Sequence, residues 1–199
     1  MTTGTFTLKA NTTYLVFAFT NSTTGDSATF SSTFSGSPTF NLIGPGSLVV
    51  GDGKEYEFGR WLNGGGSNAT GTITVTFVQT MHQAYLQVVE LCGNDTSAPI
   101  AQQAYQTSIA AGSSPYTANL PLAPLAGTNF DVYFLNAKEG LGASAPTGTP
   151  AVTNLIYVPG GSGSAATYFA GTPSQNESFN TSPASNKHWG TIAVEIKRP

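Results

Sequence analysis

The sequence predicts an all-β protein: a two-sheet antiparallel β-sandwich, jelly-roll-like, with about ten to twelve strands and little helix. Three observations lead there. Short runs rich in Val, Ile, Phe and Tyr recur along the 199 residues, each bounded by Gly, Pro, Asn, Asp or Ser. No window longer than about ten residues places its apolar positions at the period of a helix. Only 9% of the residues are charged, against roughly a quarter in an ordinary globular domain. The surface between strands is therefore neutral and made of hydroxyls and amides.

The elements follow in order. Tyr14–Phe19 is almost continuously apolar, the pattern of a strand buried on both faces or in a sandwich core. Ala28–Phe34 alternates. Pro38–Ile43 runs into Gly44-Pro45-Gly46, a strong turn signal, and Leu48–Val50 ends at the turn Gly51-Asp52-Gly53. Lys54–Leu62 alternates with Tyr56 and Phe58 on one face and Glu55 and Glu57 on the other. Thr70–Val78 is the clearest amphipathic strand, with Ile73, Val75 and Phe77 in period two. Ala84–Leu91, Asn129–Asn136, Val152–Val158, Ala166–Ala170 and Trp189–Lys197 are further strands. Thr107–Ala111 and Tyr116–Leu122 are weaker, and Ser97–Tyr105 is the one place for a helical turn. No convincing internal repeat is visible. A single domain is expected over residues 1–199, with residues 1–12, carrying Phe6 and Leu8, as a first strand or an arm that pairs with a neighbouring subunit.

Composition narrows the function classes. A net charge of −3 leaves no basic footprint for nucleic acid, and no apolar run approaches the roughly 20 residues of a membrane span. The N-terminus has neither the basic nor the apolar region of a secretory signal. The single cysteine, Cys92, lies at the end of a strand-like run and reads as a buried, inert thiol.

Chemistry is thinly provided. His82 and His188 sit at strand starts and read as solvated. Glu55 and Glu57 share a strand face beside Lys54 and Arg60, which reads as surface ion pairing rather than a glycosidase pair. Gly51-Asp52-Gly53 and Asn94-Asp95-Thr96 are turns, not multi-ligand calcium loops. No enzymatic activity, cofactor or metal is expected. Glycan binding has better candidates, because sugars stack on exposed aromatic rings and bond to amides. Trp61 abuts the Gly-rich loop beginning at Asn63, and Tyr116 is of the right type; against this, Trp61 and Trp189 read as core aromatics at strand ends.

Several segments taken together carry a resemblance. They are Tyr14–Phe19, Gly59-Arg60-Trp61-Leu62 before its glycine turn, Gly71–Phe77, Val88-Val89-Glu90-Leu91-Cys92-Gly93 with Thr96–Ile100, and Trp189–Lys197. The pattern resembles a β-sandwich module that recurs in tailed-phage virion proteins and in bacterial surface proteins. The resemblance implies a structural or adhesive role and transfers no catalytic residue. With no export signal, the expectation is a virion protein made in a host cytoplasm and exposed on the particle, a capsid decoration or head accessory subunit. Its partners would be the major capsid protein, other virion subunits or further copies of itself. Host adhesion through a glycan is the alternative.

Overall fold

In the computed structural model, residues 1–22, 25–50, 55–112, 115–125, 127–138, 140–142, 144–160, 164–180 and 187–199 are described. They form sixteen strands, more than the ten to twelve expected. In chain order these are β1 (Phe6–Leu8), β2 (Thr13–Ser22), β3 (Ala28–Ser32), β4 (Asn41–Val50), β5 (Glu55–Asn63), β6 (Ala69–Gly71), β7 (Ile73–Phe77) and β8 (Met81–Leu91). The second half holds β9 (Ile100–Gly112), β10 (Tyr116–Asn119), β11 (Phe130–Ala137), β12 (Thr147–Thr149), β13 (Thr153–Val158), β14 (Ser164–Ala170), β15 (Asn176–Asn180) and β16 (Lys187–Ile196). The Gly51-Asp52-Gly53 turn lies outside the described residues. Ser97–Tyr105 contains no helical turn, and Ile100–Tyr105 belongs to β9.

All pairings are antiparallel, as an all-β sandwich requires. Two large sheets, ordered β4-β5-β2-β8 and β13-β14-β11-β16-β9, face each other. Between them lies the main core: Leu15, Phe17, Phe19 and Val89 from the first sheet, and Val132, Phe134, Ile192, Val194 and Ile196 from the second. Phe17 and Phe134 stack at 5.0 Å with planes 5° apart. Gln87 crosses the same layer, accepting from Thr167 Oγ1 and donating to the Ala165 carbonyl at 3.3 Å. These bonds satisfy an amide that would otherwise be costly to bury.

The outer faces of both large sheets are covered too. The pairs β1-β6 and β3-β7, with Phe34 just beyond β3, lay Leu8, Phe34, Ile73, Val75 and Phe77 over Tyr14, Val16, Ala18, Tyr56 and Phe58. The three-stranded sheet β10-β15-β12 lays Tyr116, Ala118 and Phe179 over Tyr133, Leu135, Tyr168 and Trp189. This double covering explains why β2 and β11 are buried at every position: neither strand has a face toward water.

The two halves share one strand order. β2 and β11 are the central strands. β5 and β14 flank one side, with β4 and β13 beyond them, and β8 and β16 flank the other. β1 and β10 precede the central strands and pair with β6 and β15. β3 and β12 pair with β7 and β15, so β15 takes the place of both β6 and β7, which only Thr72 separates. The sequence retains a trace at one strand: Val88-Val89-Glu90-Leu91 in β8 stands where Ala193-Val194-Glu195-Ile196 stands in β16. Among the described residues, β9, the outermost strand beside β16, is the strand without a counterpart.

Gly44-Pro45-Gly46 is a bulge inside β4 rather than the turn expected between two strands. The register with β5 jumps from Ile43↔Gly59 to Leu48↔Glu57, and Gly44 takes φ +65°. A Cβ at Gly44 would lie 1.8 Å from the Tyr105 ring, which reaches across from β9. Gly44→Ala therefore meets both a left-handed backbone and an occupied site. The expected loss is on the order of 3 kcal/mol, read as a lower urea midpoint at unchanged m-value.

Candidate functional site

Trp61 lies on β5 between Leu15 of β2 and Asn41 of β4. Its ring is half-buried against the main core. The exposed part lines an open cleft of about 420 Å³ with Leu42, Ala98, Pro99 and Gln103. Leu42, 57% exposed, stands on its rim. The floor is fixed by the Asn94–Ala98 loop, in which Asp95 Oδ1 accepts from Ser97 N at 2.8 Å, Ser97 Oγ at 2.6 Å and Ala98 N at 3.3 Å. This oxygen is thus engaged inside its own turn.

Asn63 does not join Trp61. Its Oδ1 accepts from Thr13 Oγ1 at 2.7 Å, its Nδ2 donates to the Thr96 carbonyl, and it lines a different hollow with Gly65, Gly66 and Ser67. Tyr116 is fully enclosed, stacked on Trp189 at 5.2 Å, so a sugar contact there is corrected to a core role. The sequence could not show this because it does not show β10 lying over the second large sheet. Phe6 and Leu8 are engaged by their own chain. β1 pairs with β6, Phe6 meets Phe34 edge-on at 5.1 Å, and Leu8 is buried.

Two further expectations are overturned. Cys92 is exposed, because β8 ends at Leu91 and the next residue turns outward beside Glu90, whose Oε1 accepts from Sγ at 3.6 Å. Glu55 and Glu57 are fully buried. They do share one strand face, but that face looks at the second large sheet and not at water. Glu55 reaches Lys138 Nζ at 3.4 Å across the layers. Glu57 points at Gly190, where an added Cβ would come within 2.6 Å of its Oε1. Burial alone pushes its carboxyl well above the usual carboxylate range.

Two more acids are enclosed in the second half. Burial, reinforced by the charge of Asp131, pushes Glu177 up to about 8. Burial raises Asp131 to about 6, against the opposing bonds from Tyr133 Oη at 2.7 Å and Ser174 N at 2.9 Å. These three groups sit in packed layers away from the Trp61 cleft. At neutral pH Glu177 is therefore largely protonated. Among the described residues no three His, Cys, Asp or Glu side chains converge on a point that would hold a metal ion.

Among the described residues, the loop between β10 and β11, Pro121-Leu122-Ala123-Pro124-Leu125, exposes two large apolar side chains close together. Leu122 is 69% and Leu125 65% exposed, yet the loop is held firmly. Gln102 Oε1 accepts from Leu122 N at 2.9 Å and Gln102 Nε2 donates to Leu122 O at 3.0 Å. Glu195 accepts from Leu125 N at 2.9 Å, from Asn129 Nδ2 at 2.6 Å and from Gln102 Nε2 at 2.6 Å. Two leucines are thus presented to solvent on a clamped backbone, so little ordering entropy remains to be lost when a partner covers them. The repeated Pro-Leu-Ala of the loop was the available sequence signal. It passed as the tail of a weak strand because periodicity cannot separate an exposed apolar turn from a strand end.

Comparison with protein families, with curated proteins and with solved structures finds no match to this chain.

Proposed function

We propose that the chain is a non-enzymatic structural protein of a virus particle, a decoration or head accessory subunit of a tailed phage bound to the major capsid protein or other virion subunits. The observation that carries this reading is the clamped Leu122–Leu125 loop on an otherwise neutral, amide- and hydroxyl-rich molecule. Covering two leucines stabilises a contact by about 1.5–3 kcal/mol each, and many copies on a lattice multiply that. A surface with so few charges lets copies sit side by side without mutual repulsion. The resemblance to phage virion modules supplies the context. The paired substitution Leu122→Asp with Leu125→Asp is expected to abolish co-sedimentation with particles while leaving thermal stability within a few degrees. Equal co-sedimentation of variant and parent contradicts the reading.

A second reading rests on the Trp61 cleft. A partly exposed indole with an amide beside it suits a neutral sugar, which would stack on the ring and bond to Gln103. Trp61→Ala would then remove glycan retention on an array. An array that is blank for the parent protein at high concentration contradicts this reading.

A further inference from the structure

In the second half, β16 is flanked on its far side by β9, paired with it from Ile100 to Gly112. Its counterpart β8 ends the other large sheet, and among the described residues no strand pairs with its far side. Along Leu86–Leu91, every second N–H and C=O therefore points outward from the sheet. Edges of this kind are normally blunted by Lys, Pro or a bulge. Leu86-Gln87-Val88-Val89-Glu90-Leu91 has no Lys or Pro, and its register with β2 is unbroken.

Open grooves run along both sides of this edge. One, about 470 Å³, lies between the two large sheets and is walled by Val89, Leu91, Phe130, Phe169 and Leu155. The other, about 530 Å³, lies toward the outer layer and is walled by Phe6, Tyr14, Leu86 and Val88. A strand laid against β8 sends successive side chains to opposite faces, so alternate residues would drop into the two grooves. β9 shows what such a place takes: Tyr105 turns toward the main core, while Ala104 turns toward the outer layer of its own half. Two charges border the first groove, Glu90, which is paired with Lys9 at 2.6 Å, and Arg198. The Arg198 guanidinium lines the groove, 5.8 Å over the Phe130 ring, where a carboxylate would complement it.

We propose that Leu86–Leu91 is an acceptor edge for an extended segment of another polypeptide. The segment runs antiparallel to β8, neutral like β9 except for one carboxylate that meets Arg198, with an aromatic or branched residue facing the large sheets. This inference does not depend on where the protein works. Its test is hydrogen–deuterium exchange on the intact chain with a probe peptide of the Ala101–Ser108 sequence carrying Gln103→Glu, which in the β9 register falls opposite Val89 on the side of the first groove. The expected result is saturable slowing, at least tenfold, at alternate amides of Leu86–Leu91. The slowing is lost in Val88→Lys and kept in Val78→Lys, whose residue is 69% exposed elsewhere. Should Val88→Lys fail to fold, Leu155→Glu, on a residue 44% exposed in the groove wall, serves the same purpose. Absent protection at saturating peptide, protection at another edge, or protection unchanged by either groove variant overturns the proposal. So does a dimer formed through β8 that the peptide cannot displace.

Discussion

Replacing Phe134 with alanine is expected to cost about 3–5 kcal/mol of stability, the range for emptying a large aromatic site in a close-packed core. Phe134 is fully buried at the middle of β11, the central strand of its sheet, and it stacks on Phe17 at the middle of β2. The cavity would open between two sheets, each already pinned by a layer on its other face, so neither can move in to fill it. Val78→Ala, at a residue 69% exposed, should change stability by less than about 0.5 kcal/mol. A double-mutant cycle on Phe17 and Phe134 should return a coupling of about 0.5–1.5 kcal/mol, as expected for a ring pair in contact. Urea unfolding of the parent and the four variants checks all three numbers. Simple additivity of the two phenylalanine variants would mean that the sheets do not share one core.

The second large effect is a stability that falls as pH rises. Glu57, Glu177 and Asp131 all titrate higher in the folded chain than in the unfolded one, chiefly because burial disfavours their charge. The folded state then binds more protons than the unfolded state, and unfolding free energy has a negative slope in pH. The contribution is complete below the ordinary carboxylate values. It is lost as pH rises, through about 6 for Asp131 and about 8 for Glu177. One unit of separation between folded and unfolded titration is worth about 1.4 kcal/mol, and 1 kcal/mol moves Tm by about 2–4 °C in a chain of this size. A fall in Tm on the order of 5 °C or more is therefore expected between pH 5 and pH 8. Glu57→Gln and Glu177→Gln should each flatten that slope, leaving pH 5 nearly unchanged and raising pH 8. Glu90 and Asp95, held low by Lys9 and by the Ser97 hydroxyl respectively, act with the opposite sign only at more acid pH, and both lie partly exposed at the surface, where such effects carry small weight. A Tm that climbs from pH 5 to pH 8 would contradict this assignment of buried, protonated acids.

The strands were readable wherever one physical cause dominated. Tyr14–Phe19 has no polar face because β2 has no wet face, and the alternation of Ile73, Val75 and Phe77 matches a strand of the outer layer with one side in water. Reading failed where a second layer intervened. Glu55 and Glu57 alternate as surface acids would, but the surface they face is another sheet. Gly44-Pro45-Gly46 carries turn chemistry yet serves as a bulge, since Tyr105 of a distant strand needs the space its missing side chains leave. The repeat of strand order was hidden because burial on both faces constrains volume and not identity. Phe17 and Phe134 occupy matching central places, while the residues beside them on neighbouring strands, Gly59 and Gln87 against Thr167 and Ile192, differ completely. For the site, Trp61, which residue type reads first as a core aromatic at a strand end, packs on the core and still leaves part of its ring in a cleft. Residue type failed for Tyr116, whose exposure depends on a packing partner more than seventy positions away in the chain.

Reassociation with particles bears most directly on the proposed role. Purified chain, sized alone by light scattering, would be titrated into phage heads that lack it, and the bound protein measured after sedimentation. A structural virion subunit predicts saturable binding at a fixed number of copies per particle, lost in the Leu122→Asp, Leu125→Asp variant. A chain that stays monomeric and remains in the supernatant at every ratio would contradict it and leave the Trp61 cleft as the feature to pursue.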